Sequence, residues 1–290
     1  MTDGFILVDK QPDWTSHDVV ARARSLLKIK KVGHAGTLDP MATGLLVLGV
    51  GRATRLLRFV QQAPKTYVAR VIFGVATDTL DADGAVLERS PLPVSEADVC
   101  GVLGRFIGRI HQVPPMVSAV RIGGRRLYEL AREGVEVERS PRPVEVHAID
   151  ILEFAPSEYP EAVMRIECGS GTYVRTLADD IAGALGGRAH LGTLRRLAIG
   201  SLDVDDAIRV DVDKADLADA ILAPASGLAD LPALEVEGDI VRAVRSGSTF
   251  TPFSLGEADV GAHRILDSRG VLLAVYAIER GVARPEVVLS

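Results

Sequence analysis

The stretch GHAGTLDPMATGLLVLGVGRATR, residues 33–55, limits the possible folds more than any other part of the chain. Its run LLVLGVG is apolar and ends in glycine, which predicts a buried strand. A Gly-rich turn precedes this strand and carries Asp39, the single carboxylate of the stretch, directly before Pro40. On these residues alone, Asp39 is either an ordinary turn or capping residue or a functional acid fixed beside a buried strand.

The surrounding patterns predict both helices and strands. TSHDVVARARSLLKIKK begins with residues suited to an N-cap and then has apolar residues at helical spacing, and TYVRTLADDIAGALG has a Gly-Gly stop. SEADVCGVLGRFIGRI is also predicted to be helical. KTYVARVIFG alternates and is rich in β-formers, and AVMRIECGSG runs into a Gly/Ser turn, so both are predicted strands. Helices and strands that recur with hairpin-like connections predict a mixed sheet.

The C-terminal part differs in composition from the rest. An acidic stretch that begins at residue 203 ends in a Pro/Ser/Gly-rich segment near 224–228, where we predict a domain boundary. Beyond it, LPALEVEG, HRILDSRGVLLAVYAIE and EVVLS are short alternating segments separated by turns. These patterns predict a small β-barrel, so the expected domains are 1–228 and 229–290.

Composition predicts an intracellular protein with a sizeable core and without a membrane-spanning helix. The hydrophobic fraction of 47% suffices for a sizeable core, and no apolar run reaches the roughly 20 residues of a membrane helix. Nothing at the N-terminus resembles a signal peptide. The two cysteines, Cys100 and Cys168, suggest neither a zinc site nor a disulfide framework. We therefore expect a cytoplasmic protein that acts as a monomer.

The charge is unevenly distributed. The net charge of −6 by itself argues against a polyanionic partner, but residues 1–70 carry 11 Lys and Arg against 5 Asp and Glu. Residues 201–290 carry 8 against 16, so the acid is concentrated at the C-terminal end. The first part can present a basic face to phosphate, or it can be an ordinary solvated surface.

Six blocks of the sequence, in order, resemble the TruB family of tRNA pseudouridine synthases. They are GFILVDKQPDWTSHDVV, GHAGTLDPMATGLLVLGVGRATR, KTYVARVIFGVATDTLDADG, QVPPMVSAVRIGGRRLYELAREG, CGSGTYVRTLADDIAGALG and HLGTLRRLAIGSL. The resemblance implies an α+β catalytic domain with a mixed, mainly antiparallel sheet and a C-terminal PUA-like barrel. It also implies that uridine at position 55, in the T-arm loop of tRNA, is isomerised to pseudouridine.

The resemblance assigns three catalytic roles. Asp39 matches the nucleophile of the family, and Arg175 matches the arginine that pairs with that aspartate and keeps it charged. Tyr67 matches the tyrosine that lies against the target base and helps to remove its C5 proton. On the residues alone, Arg175 is an exposed residue at a helix start and Tyr67 a core or cross-strand aromatic.

Substrate binding is assigned in the same way. Tyr173 and Leu194 match residues that line the uracil pocket, and His34 matches the residue that fills the space left by the extruded base. Without the resemblance, a lone histidine is more often structural. The resemblance also makes segment 115–143 a thumb that closes on the T loop. Further candidates for substrate and phosphate contacts are Lys10, Lys30, Lys31, Arg52, Arg55, Arg125, Arg126 and Arg132.

The reaction implies no metal and no cofactor, because the rearrangement is redox-neutral and no group comes from outside. The Asp-rich segment ATDTLDADG lacks the spacing of an EF-hand loop, so we interpret Asp78, Asp81 and Asp83 as a turn with some contacts on the substrate side. The alternatives are a catalytically silent RNA-binding protein or tRNA-folding chaperone, and an α/β protein unrelated to RNA. Mere binding needs none of the trio Asp39, Tyr67 and Arg175, which favours the enzyme.

Overall fold

The computed structural model describes residues 3–118, 121–127, 130, 133–135, 137–251, 255 and 259–289. The chain forms two compact units. The first contains Met1–Pro40, Gly44–Ala63 and Ile199–Ser290, and the second contains Met41–Thr43 and Pro64–Ala198. These two units have other bounds than the predicted domains 1–228 and 229–290, because residues 199–290 belong to the same unit as the N-terminal segments. The predicted domain boundary near 228 stays a prediction.

In the first unit, the apolar run of residues 45–50 forms the buried strand that the sequence predicts. Strand β1 (Gly4–Lys10) pairs antiparallel with β3 (Thr43–Val50), from Gly4 opposite Val50 to Lys10 opposite Gly44. The short strand β2 (Val32–Ala35) also pairs antiparallel with β3. Every residue of β3 after Thr43 is buried.

The helix predicted by the TSHDVVARAR pattern spans Ser16–Leu27. Thr15 and Asp18 form a reciprocal capping box at its start, and its apolar face is buried. The basic segment RATR forms a 3₁₀ helix, Gly51–Arg55, before the α-helix Leu57–Gln62. Further helical segments of this unit are Val204–Asp206, Lys214–Asp219, Ser226–Leu228 and Gly238–Arg245, and its short strand β13 is Leu202–Asp203.

The C-terminal strands form a sheet with its own core. Its order is β14 (Ala233–Val236), β15 (Gly261–Asp267), β16 (Leu272–Glu279) and β17 (Val282–Val288). This sheet is consistent with the predicted PUA-like domain, but it does not close into the predicted barrel: over the described part of 229–289 it is an open sheet of four strands. Alternation specifies which side chains face the core but not which edges meet. The helix Gly238–Arg245 lies between β14 and β15 in the chain, and these two strands pair in parallel.

The second unit is built on strands in the order β12–β4–β11–β10–β7. The pairs β4–β11, β11–β10 and β10–β7 are antiparallel, in agreement with the expected sheet. Two small hairpins, β5–β6 and β8–β9, accompany it. The strand bounds are β4 Lys65–Phe73, β5 Val75–Thr77, β6 Val86–Arg89, β7 Gly108–Gln112, β8 Arg121–Ile122, β9 Arg125–Arg126, β10 Arg142–Ala155, β11 Glu161–Cys168 and β12 Ala189–Ile199.

One helical prediction in this unit is too long. The helix Glu96–Leu103 is followed by a 3₁₀ turn, Gly104–Phe106, and then by strand β7. Ile107 is already extended, with φ −92° and ψ 144°, and Gly108 follows at the start of β7 with φ 88°. The second predicted helix is confirmed at Val174–Ala184, and Gly186 follows it with φ 85°. In the described ranges, no helix combines the length and the apolar character needed to cross a membrane.

Candidate active site

Asp39 lies in the loop between β2 and β3 of the first unit, and it is half-buried. A buried hydroxyl holds the peptide groups of the residue before it. Ser16 Oγ accepts from the backbone N–H of Leu38 at 2.9 Å and donates to the carbonyl of Leu38 at 3.1 Å. Ser16 starts the helix Ser16–Leu27, so a well-capped helix fixes this side of Asp39.

A buried ammonium holds the residue after Asp39. Lys10, at the end of β1, has no exposed surface, and its Nζ donates to the carbonyl of Pro40 at 3.0 Å. The same ammonium donates to the carbonyls of Trp14 at 2.7 Å and Gln11 at 3.0 Å. A buried charge needs such partners, because desolvation otherwise costs several kcal/mol. The contact of Lys10 with substrate stays a prediction, whereas its hydrogen bond to Pro40 in the Asp39 loop is present in the structure.

His34 lies on β2, opposite Leu48 of β3, and it is half-buried. Asp39 follows it in the next loop, so the strand that carries His34 leads directly into the loop of the candidate nucleophile. The predicted position of His34 in the space vacated by the extruded base stays a prediction.

The arginines of the RATR segment contact the C-terminal strand. Arg52 pairs with Asp3 at 2.6 Å, and its guanidinium donates to the carbonyl of Leu289 at 2.7 Å. Arg55 donates to the carbonyl of Val288 at 2.8 Å, at the end of β17. Both side chains keep exposed surface, so the predicted phosphate contacts stay open. These hydrogen bonds also give the two arginines a structural role, because they connect the end of β17 to the segment Gly51–Arg55.

Arg175, in the first turn of the helix Val174–Ala184, is 4% exposed. Its guanidinium pairs with the carboxylate of Asp81 at 3.2 Å. It also donates to the carbonyls of Thr79 at 2.9 Å and Val117 at 2.8 Å. The alternative interpretation, in which Arg175 is an exposed residue at a helix start, is therefore wrong. This cation is buried and joins the helix to two other segments of the second unit.

Asp81 is a site residue whose role the sequence analysis missed. It is 4% exposed, and its Oδ1 accepts from the Thr79 hydroxyl at 2.5 Å and from the Asp83 N–H at 3.2 Å. The predicted turn is confirmed: Asp78 accepts from the backbone N–H of Ala85 at 2.8 Å, across the turn. A buried acid needs a compensating partner, and Arg175 supplies it here; the turn-like sequence around Asp81 does not reveal this burial.

Tyr67, Leu194 and Tyr173 belong to the same unit as Arg175. Tyr67 lies on β4, opposite Ile166 of β11, and it is half-buried. Leu194 is 7% exposed on β12, the neighbour of β4 in the sheet. Tyr173 immediately precedes the helix that carries Arg175. The fold thus brings two of the predicted pocket residues to neighbouring strands and the third to the start of the Arg175 helix.

Gln112 is a second residue that the analysis missed. This last residue of β7 is 2% exposed, and both polar atoms of its amide bind the backbone of Tyr173. It precedes the Pro-Pro pair at the root of the predicted thumb. Nothing in its spacing singles it out, because its partner lies 61 residues further along the chain.

Lys65 lies two residues before Tyr67 on β4, so the two side chains share a face of the strand. Burial, with nearby Arg196 contributing in the same direction, lowers the pKa of Lys65 to about 8. Its strand partner is Cys168, and burial raises the pKa of that thiol to about 11. A cation that loses its proton near pH 8 thus lies on the same face of β4 as Tyr67.

The predicted thumb, 115–143, is described in part. Its Gly123 and Gly124 have φ 59° and 84° and form the turn between β8 and β9. Arg125 is exposed and pairs with Glu133. Arg126 belongs to β9, but its side chain lies outside the described part, as does the whole of Arg132. Among the residues that the structure describes, His, Cys, Asp and Glu form no group of three suited to a metal ion.

Comparison with known proteins places this site in a family. A family model described as TruB family pseudouridylate synthase (N terminal domain) matches residues 24–174. The chain is 44% identical, over 96% of its length and 95% of the relative, to a protein named tRNA pseudouridine synthase B from Moorella thermoacetica. A protein of the same name from Ralstonia nicotianae is 42% identical over 98% and 93%.

A solved structure supports the fold. The chain is similar to a chain of a Cbf5–Nop10–Gar1 complex with a TM-score of 0.73 and 27% identity, covering 94% of this chain and 78% of that one. The matched segment 24–174 includes Asp39, Tyr67, Asp81 and Gln112 and stops one residue short of Arg175. The family match over more than half of the chain and the near-complete coverage of close relatives agree: the chain belongs to the TruB family of pseudouridylate synthases.

Proposed function

We propose that this enzyme converts the uridine at position 55, in the T-arm loop of tRNA, to pseudouridine, with Asp39 as the nucleophile. The substrate class is supported by the relatives named tRNA pseudouridine synthase B, which are up to 47% identical. The observation that carries the proposal is a candidate nucleophile whose two neighbouring residues are held by buried groups, Ser16 and Lys10. Such preorganisation suits a reacting group, whose geometry must be held closely for chemistry.

The reaction balances without an external reactant. The bond between C1′ of the ribose and N1 of uracil breaks, the base turns, and a bond between C1′ and C5 forms. The proton on C5 leaves, and N1 gains one, so atoms and electrons are conserved. Asp39 holds the intermediate covalently, either through C6 of the base or through C1′ of the ribose, and both routes fit the same carboxylate.

Two residues of the second unit complete the proposed chemistry. Arg175 keeps the nucleophilic carboxylate in its charged form, because a guanidinium stays protonated at every working pH. Its own orientation is set by Asp81 and two backbone carbonyls. Tyr67 stacks on the target base and assists the removal of the C5 proton. Tyr173 and Leu194 enclose the uracil ring.

Recognition rests on a folded RNA arm with one extruded base. Taking the uridine out of its stack costs a few kcal/mol, and His34 fills the space that it leaves. Arg52, Arg55, Arg125 and Arg126 contact phosphates, so binding weakens as the salt concentration rises. In this proposal the protein acts as a monomer in the cytoplasm and requires neither a metal nor a cofactor.

The test uses a T-arm stem-loop and an intact tRNA, each with tritium at C5 of the target uridine. The proposal predicts tritium release from both substrates at comparable efficiency, and release that persists in excess EDTA. Release from intact tRNA alone would move recognition outside the T arm. Absence of release from either substrate, with RNA binding intact, would support the silent RNA-binding alternative.

A further inference from the structure

Gln112 binds both polar groups of a single residue, Tyr173. Its Oε1 accepts from the backbone N–H of Tyr173 at 3.0 Å, and its Nε2 donates to the carbonyl of Tyr173 at 3.3 Å. With 2% of its surface exposed, the side chain of Gln112 makes these bonds largely shielded from solvent, where each is stronger than in water. The amide therefore pairs with Tyr173 as a neighbouring strand would, from the end of β7.

Tyr173 is the residue at which the chain changes from a turn to a helix. Its backbone is extended, with φ −100° and ψ 105°, and its own side chain does not cap the helix Val174–Ala184. Its carbonyl also accepts the helical hydrogen bond from Leu177 N at 3.0 Å. Because Gln112 holds the N–H and the carbonyl of the N-cap residue, it fixes the direction in which the helix starts.

Arg175 lies two residues later and depends on the same direction. Its guanidinium must reach Asp81 and the carbonyls of Thr79 and Val117, which come from separate stretches of the chain. Val117 is only five residues after Gln112. The segment that leaves β7 is thus attached to the helix start at two points, once through Gln112 and Tyr173 and once through Val117 and Arg175.

We propose that Gln112 is a positioning residue for uridine isomerisation, and that it acts by orienting Tyr173 and Arg175. This inference rests on the proposed function, since those two residues are there assigned to the uracil pocket and to the nucleophile. A shift of about 1 Å in catalytic groups can slow a reaction about 100-fold. The competing interpretation is that Gln112 merely satisfies two buried backbone groups, which would affect stability but not the chemical step.

The experiment compares Gln112→Met, which keeps the length of the side chain and removes both bonds, with Gln112→Asn, which keeps the amide but shortens its reach. Gln62→Met is the matched control, because Gln62 is exposed at the end of the helix Leu57–Gln62. We expect single-turnover rates on the C5-tritiated stem-loop to fall about 100-fold for Met and about tenfold for Asn. RNA affinity should stay within about threefold, because phosphate contacts dominate it.

A double-mutant cycle separates positioning from stability. In a Tyr173→Ala background, Gln112→Met should slow the reaction further but by clearly less than the 100-fold that it causes alone, since one of the two groups that it orients is already gone while the backbone of residue 173 still carries its effect to Arg175. Rates within twofold of wild type for both folded variants would overturn the proposal. Fully additive rate effects, or two variants that are unfolded at the assay temperature, would also overturn it and leave Gln112 a residue that supports the fold.

The wild-type enzyme distinguishes this inference from the proposed function. If it releases tritium while the Gln112 variants match its rate, only the positioning role of Gln112 fails. If the wild-type enzyme releases none from stem-loop or tRNA, the proposed function fails and the inference fails with it.

Discussion

The guanidinium of Arg175 lies 3.2 Å from the carboxylate of Asp81, and the two side chains are only 4% and 6% exposed. A buried ion pair is retained at a desolvation cost of several kcal/mol per ion, so its contribution to net stability is small at best. The role of this ion pair is to orient the guanidinium of Arg175. Asp81 is itself fixed by Thr79 and by the backbone of Asp83, and it sets the orientation of the guanidinium.

Asp81→Asn should impair both folding and turnover. The amide keeps the shape but leaves a buried guanidinium without this counter-charge, at a cost of about 3–5 kcal/mol in the free energy of unfolding. We expect the single-turnover rate to fall at least tenfold at a temperature where the variant is folded, with RNA affinity preserved. Denaturant unfolding and single-turnover assays measure the two effects. Asp150→Asn, on the exposed side of β10, is the control and should change neither.

Arg175→Lys should lose most of the activity although the charge is kept. An ammonium is a point charge and cannot reproduce the planar fork that reaches Asp81, Thr79 and Val117 together. We expect the rate of the chemical step to fall about 100-fold or more. Arg165→Lys, at an exposed position of β11, should be neutral. An Arg175→Lys variant within threefold of wild type would remove this residue from the catalytic centre.

Ser16→Ala tests whether the loop of Asp39 is held by the helix start. The change removes one hydroxyl, which leaves the buried N–H and carbonyl of Leu38 without this partner, and should cost about 1–3 kcal/mol of stability. A looser Asp39 should also lower the rate at saturating RNA. Ser25→Ala lies on the exposed part of the same helix and serves as the control. Equal rates for the two variants would show that the loop keeps its geometry without Ser16.

The two cysteines should differ strongly in reactivity. Cys168 is buried, and this burial raises the pKa of its thiol to about 11, so its thiolate fraction at pH 8 is about one thousandth. Cys100 is exposed. Mass spectrometry of the folded protein treated with iodoacetamide at pH 8 should find Cys100 alkylated long before Cys168. Equal alkylation rates would contradict the burial of β11 beside β4.

Local patterns predicted those parts of the fold that local physics decides. The capping residues and apolar spacing of Ser16–Leu27 identify that helix, and the unbroken apolar run identifies β3 as buried. Two errors have a physical reason. Pairing with β10 makes Gly108–Gln112 a strand where the local spacing predicted the end of a helix, and sheet closure at the C-terminus depends on edges that alternation does not specify.

The candidate site shows the same limit. Asp39, Tyr67 and Arg175 were found through motifs, whereas Asp81 and Gln112 act through partners 94 and 61 residues away. Such contacts arise from the fold, and no residue spacing in the sequence predicts them. The fully buried Lys10 is an intermediate case: its motif identified it, but the hydrogen bond from its ammonium to the carbonyl of Pro40 became visible only in the structure.

The most direct test of the account is tritium release from C5-labelled uridine in a T-arm stem-loop, by wild type and Asp39→Asn. Asparagine keeps the shape of the side chain and removes the nucleophilic charge. We expect release by wild type, no detectable release by Asp39→Asn, and RNA dissociation constants for the two proteins within about tenfold of each other, since phosphate contacts dominate affinity. Release by Asp39→Asn at a rate near that of wild type would contradict the assignment of Asp39 as the nucleophile.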